Sequence, residues 1–268
     1  MSLARQLRVL PLLVRLHIRS RMEYRGAYLL DRIAQILAYV SAFAAIWLLT
    51  ERFETLGGWN WPELAFLLGF QLLGYSLGAA LSFVQFRDLE DTVRRGTFDV
   101  LLVKPISPWA YLVFSGLNIN YAGQSALAIG LIAWSLTRLD IDWGAAMVLY
   151  AAASLVSAML ITAALMTMIG ASALIFVRSS HLFSIFFGLW GLTRYPLGIF
   201  PTGIQVLLLT VIPMGFMSFV PVAWLLAKDI PIIGEWGGLA APLVGPALAL
   251  LAMAHWRYAI GRYQGGGG

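Results

Sequence analysis

The chain is 268 residues long, 60% hydrophobic and 12% charged, with a mean hydropathy of +0.81. Soluble domains carry about 25% charged residues, so this composition excludes an ordinary globular domain and points to a membrane. The absence of cysteine excludes a disulfide framework and a thiolate metal site, and the net charge of +5 is sorted by membrane side, so no nucleic-acid partner is expected.

Residues 1–28 carry six arginines and no uninterrupted apolar run ending in a small-residue cleavage site, so no cleavable signal peptide is expected. Within them, 3–25 reads as a basic amphipathic helix. Arg5, Arg8, Arg15 and Arg19 recur at helical spacing opposite Leu3, Leu7, Leu10 and Val14, and Pro11 kinks or restarts the helix. Such a helix lies in the interface among anionic lipid headgroups.

A membrane-crossing helix needs about 20 apolar residues. Residues 29–49 form a first span, with Asp31 and Arg32 at its start, and 62–86 a second that opens with Pro62 in its first turn. After a charged stretch come a third span over 109–136, a fourth over 143–176, a fifth over 182–199 and a last over 237–256. Residues 200–226 are apolar, but Pro201, Pro213 and Pro221 with Gly203 and Gly215 interrupt them. Proline removes a donor and breaks a helix, so this segment suits two short half-helices entering from outside and returning.

Basic residues set the topology. With both termini in the cytoplasm and 200–226 re-entrant, fourteen basic residues lie inside and four outside (Arg52, Arg138, Arg194 and Lys228). A full crossing by 200–226 would move Arg257 and Arg262 outside and weaken the bias to twelve against six. The expected fold is therefore an all-α polytopic membrane protein with six spans in one domain, 29–262, followed by a tail or appended linker at 263–268. Trp59, Trp61, Trp109, Trp134, Trp143, Trp236 and Trp256 fall near predicted span ends, as interfacial anchors do.

The chain has no G-x-x-x-x-G-K-[ST] loop, no H-E-x-x-H and no nucleophile elbow, so neither an ATP site nor a catalytic or metal centre is expected on it. His17, His181 and His255 sit near span boundaries. The span centres hold essentially no ionisable residue, which disfavours a proton-driven transporter. A lipid-modifying enzyme would need clustered His, Asp or Glu near one membrane face. An ion-coupled secondary transporter should show broken helices in both halves, and only the C-terminal half has one. Polar residues at membrane depth, Gln71, Ser76, Asn118 and Gln124 among them, either join helices or line a path. On the second reading Gln71, Tyr75 and Phe83 share a face of the second span.

The densely charged stretch between spans two and three, RDLEDTVRRGTFDVLLVKPISPW (Arg87 to Trp109), is water-facing except for Phe98, Val100, Leu101 and Leu102. Its position suits a surface element gripped by a soluble partner, or a solvated loop that only obeys topology.

RRGTFDVLLVKPISPW (Arg94 to Trp109) resembles the G-x-[LF]-D-x-L-L-x-[KR]-P-[IV]-S-P signature of ABC transporter permeases of the ABC-2 type, near daunorubicin-resistance permeases and closest to the branch of ABC-2 family transporter proteins. RYPLGIFP (Arg194 to Pro201) and VIPMGFMSFVPVAWLL (Val211 to Leu226) also resemble that branch. The resemblance implies an exporter of drugs, natural products or lipids in a bacterial cytoplasmic (inner) membrane, working by alternating access. Two copies of a cytoplasmic ATPase would hold the ATP and Mg, and a second permease half, identical or paralogous, would complete the path. It implies a coupling helix over 88–103 that meets the ATPase through Asp88, Glu90, Arg94, Arg95, Gly96, Phe98, Asp99 and Leu102. The path would be lined by Gln71, Tyr75, Phe83, Phe183, Phe187 and Trp190.

Overall fold

The computed structural model describes residues 25–116, 118–176 and 178–265; these are mainly helical, and their one β-type pairing is a bridge between Leu56 and Trp59. The amphipathic helix expected over 3–25 lies outside the described residues, as do the side chains of Asp31 and Arg32.

Four helices are long and apolar enough to cross a membrane: α1 (Arg25–Phe53), α2 (Trp61–Arg87), α7 (Ala145–Phe176) and α11 (Gly234–Arg262). Between α2 and α7 lie α3 (Leu89–Arg94), α4 (Asp99–Leu102), α5 (Pro108–Ser115) and α6 (Ala122–Leu136). Between α7 and α11 lie α8 (Ser180–Leu192), α9 (Thr202–Val206) and α10 (Phe219–Leu225).

Helix α2 is the centre of the molecule. It is apolar around its whole circumference, as a helix packed on all sides must be. Its start is fixed by a capping box: Asn60 Oδ1 accepts the Glu63 N–H at 3.1 Å, and Glu63 Oε2 accepts the Asn60 N–H at 2.8 Å. Helices α6 and α7 pack on it from two sides, and α11 packs on α7. Small residues set the close approach. Gly74 and Gly78 face Ala158 and Thr162 of α7, and Gly170 lies against the backbone of Phe86.

The α7–α11 crossing explains how α11 tolerates Pro242 and Pro246 in its interior. Pro242 has no N–H to offer the carbonyl four residues earlier, Gly238 O, and the Tyr150 hydroxyl donates to that carbonyl at 2.6 Å. One turn on, the Ser157 hydroxyl donates to Ala241 O at 2.7 Å and accepts the Gly245 N–H at 2.8 Å, inserting a side chain into the backbone ladder.

Two expected spans are interrupted. The third breaks between α5 and α6, where a 3₁₀ turn (Ile119–Tyr121) intervenes. There Asn118 donates its N–H to Ala80 O of α2, and its side chain accepts the Asn120 N–H, a local bond that competes with the helical ladder. The fifth stops at Leu192 after 13 residues. Trp190 O, in its last turn, accepts from Gln71 Nε2 and from the Thr193 hydroxyl, and Pro196 follows. Residues 200–226 divide as their prolines imply, into α9, a π-helical turn (Leu207–Val211), a 3₁₀ turn (Met214–Met217) and α10. Residues on both sides of this segment, Pro196 and Gly198 before it and Ala227 to Pro231 after it, share a cleft with Gly57, Gly58 and Trp59. Both flanks of the segment therefore lie beside the α1–α2 loop. Lys228 fastens the return: its Nζ lies 2.8 Å from Glu63 Oε2 and 2.8 Å from Gly58 O.

The tryptophans divide as well. Trp134, Trp143 and Trp236 are exposed, as anchors should be, whereas Trp59 and Trp256 are buried against Phe219 and Phe86. Those two are core residues, because helix crossings cover the bundle ends where they sit.

Candidate functional site

The charged stretch 88–103 folds as two short helices, α3 and α4, with Gly96 between them at φ +67°, a left-handed conformation that glycine adopts without strain. Asp91, Arg94 and Arg95 are exposed, and Asp91 pairs with both arginines at 3.6 Å. Such surface pairs contribute little to stability, so the charges are free to serve another surface. Asp88 is exposed beside Arg87, and Asp99 is exposed at the start of α4. The exposed apolar residues are Val100, Leu102 and Val103.

Two residues expected to meet the ATPase point inward. Phe98 is fully buried, its ring 4.8 Å from that of Tyr263, so in this conformation it anchors the stretch to the end of α11. Tyr263, expected in the tail, packs against the charged stretch. Glu90 is buried as well. Its Oε2 accepts the N–H of Ser179 at 2.7 Å and of Ser180 at 2.6 Å, capping the first turn of α8. Burial pushes the Glu90 carboxyl up, but these N–H donors and nearby Arg94 outweigh it and hold the carboxyl below its ordinary value.

The six residues expected along a path come together as a seam between α2 and α8. Phe83 meets Phe183 at 6.0 Å and Phe187 at 5.4 Å, ring centre to ring centre, and Tyr75 meets Phe187 at 6.3 Å and Trp190 at 4.5 Å. Gln71 closes the seam through its bonds to Trp190 O (3.0 Å) and the Thr193 hydroxyl (2.8 Å). In this conformation the rings pack on one another; Gln71, Tyr75, Phe183 and Trp190 are buried. The seam is a closed contact between two helices, one of which Glu90 ties to the charged stretch.

Arg194, expected outside, follows the early end of α8. Because α8 ends early, Arg194 sits one residue beyond Thr193, which is bonded to Gln71 within the apolar run of α2. Its guanidinium carbon lies 4.8 Å from the centre of the Trp190 ring. Beside it opens a cavity of about 340 Å³ lined by Gln35, Ala38, Tyr39 and Ala42 of α1, Tyr39 being the midpoint of that helix. The helix before it has only 13 residues, short of the about 20 that a crossing needs, and the expected fifth span, 182–199, enclosed this arginine. The length of that apolar run was the clue that the sequence offered.

A family model described as ABC-2 family transporter protein matches residues 36–267. No curated protein matches, and no solved structure matches.

Proposed function

The chain belongs to the ABC-2 family transporter proteins, and from that membership we propose that it is the permease subunit of an ATP-driven exporter that moves an amphiphilic or hydrophobic compound outward by alternating access. The observation that carries the reading is the joining of an exposed charged stretch to a helix of the aromatic seam through Glu90. A cytoplasmic ATPase, in two copies and holding ATP and Mg, grips α3 and α4 at Asp88, Arg94, Arg95, Asp99 and Leu102. Displacement of this stretch passes through the Glu90 carboxylate to the first turn of α8. Helix α8 then slides or tilts against α2, and the contacts of Phe83 and Tyr75 with Phe183, Phe187 and Trp190 open to cargo. The apolar and aromatic character of the seam suits drugs, natural products or lipids.

A second permease half, identical or paralogous, completes the path. In the proposed topology six spans cross a bacterial inner membrane, with both termini in the cytoplasm. The interrupted helices at 108–136 and 180–199 serve as spans three and five. The segment 200–226 is re-entrant from outside, a reading supported by the return of both its ends to one cleft.

Purification of the chain from its membrane in mild detergent tests the assignment. Co-purification of a soluble chain with a P-loop lysine is expected, and Arg94→Glu with Arg95→Glu should release it while leaving the permease folded. A chain that arrives alone and moves substrate on an ion gradient overturns the reading.

A further inference from the structure

Arg194 lies beside the apolar run of α2, one residue beyond the Gln71–Thr193 bond, and among the described residues no carboxylate lies within ion-pairing distance of it. Its Nε is buried and has no acceptor, and the indole N–H of Trp190, the ring beneath the guanidinium, is also buried without one. Two unsatisfied donors thus belong to one stacked pair, and Arg194 lines a cavity on the α1 side. Isolated charge is costly in hydrocarbon, and ionisable groups kept there mark binding or conduction sites. The guanidinium fork matches the oxygens of carboxylate and phosphate better than any other side chain does. A volume of about 340 Å³ is small for a whole drug-sized ligand but sufficient for a headgroup, whose tail would remain among the apolar helices.

We propose that Arg194 and the cavity before it, with Trp190 and Tyr39 beside it, form a recognition site for the anionic headgroup, phosphate or carboxylate, of an amphiphile. That the bound amphiphile is cargo rests on the permease reading; the binding itself does not.

The test uses the full chain in phosphatidylcholine nanodiscs and three fluorophore-labelled dodecyl probes that differ only in headgroup: phosphate, trimethylammonium or hydroxyl. Fluorescence anisotropy should show the phosphate probe binding roughly 10- to 100-fold more tightly than the hydroxyl probe, the scale of one or two charge-assisted hydrogen bonds. Arg194→Gln should erase that preference, and Arg194→Lys should keep part of it. Competition by added phosphatidylglycerol would identify a membrane lipid as the natural occupant, and its failure to compete would identify a separate amphiphile; both support the site. Equal affinity for the three headgroups, no saturable phosphate binding, or a preference that survives Arg194→Gln overturns it. A change confined to self-association of the chain, with the preference intact, makes Arg194 a subunit contact and also overturns it. No ATPase enters this assay, so charge-blind binding leaves the permease assignment standing, and a chain that purifies without an ATPase leaves the binding result standing.

Discussion

Glu90 illustrates how a charged residue in a surface stretch can have an internal task. Its carboxylate satisfies two N–H groups at the start of α8 that would otherwise have no partner. Replacing it with alanine strands both, at a cost of about 1–3 kcal/mol. Its folded carboxyl lies below the ordinary value of 4.5, so the cap contributes its full stability above that value and loses it as pH falls through the lowered one. Thermal unfolding in detergent should therefore show Glu90→Gln less stable than the parent at neutral pH, with the gap closing below about pH 4.5. A gap independent of pH would remove the charge from the explanation. In a reconstituted complex the same variant should bind the ATPase normally yet respond weakly to its turnover, which separates a joint from a docking contact.

At the scale of elements, the bundle is held by close helix crossings whose polar bonds repair interrupted ladders. The α7–α11 crossing is the tightest test case. A Cβ added at Gly245 would stand 2.5 Å from Ser157 Cα, which is backbone and cannot rotate away. Gly245→Ala should push α11 off α7 and cost about 1–3 kcal/mol, as overpacking does. Gly130, in the exposed face of α6, has nothing within 4 Å of an added Cβ. Gly130→Ala should be neutral or stabilising by about 0.5–1 kcal/mol through reduced chain entropy. A thermal-shift comparison of the two variants checks the crossing, and equal effects would contradict it. The short helices follow the same logic. Helix α8 can end at Leu192 because Gln71 reaches across to Trp190 O and the Thr193 hydroxyl, so its length is decided by a neighbour and not by its own apolar run.

At the scale of the whole molecule, the absence of cysteine makes single-cysteine labelling free of background. Thr55, Thr202 and Asp229 are exposed, at the α1–α2 loop, at the start of 200–226 and just beyond its end, while Val103 is exposed on the charged stretch. With a re-entrant segment, Thr55→Cys, Thr202→Cys and Asp229→Cys should react with a membrane-impermeant maleimide from one side, and Val103→Cys from the other. Separation of Thr202→Cys from Asp229→Cys would mean that 200–226 crosses, and the six-span proposal would fall.

The sequence by itself determined the membrane class, the long runs of α1, α2, α7 and α11, the proline-divided segment after α8 and the charged stretch between two apolar regions. These signals are local: hydropathy over one helix length, a missing N–H at proline, a cluster of charge. It also brought Gln71, Tyr75 and Phe83 together, because positions four or so apart on a helix share a face. The tertiary structure alone decided that Glu90 faces Ser179 and Ser180, that Phe98 turns to Tyr263, that Ser157 enters the ladder of α11 and that Arg194 stacks on Trp190. Glu90 and Ser179 are 89 residues apart in the chain, and such a pairing has no period or composition to announce it. It exists because helix packing carries two distant segments within hydrogen-bond reach, where a buried donor left without an acceptor would cost more than the ordering needed to bring one.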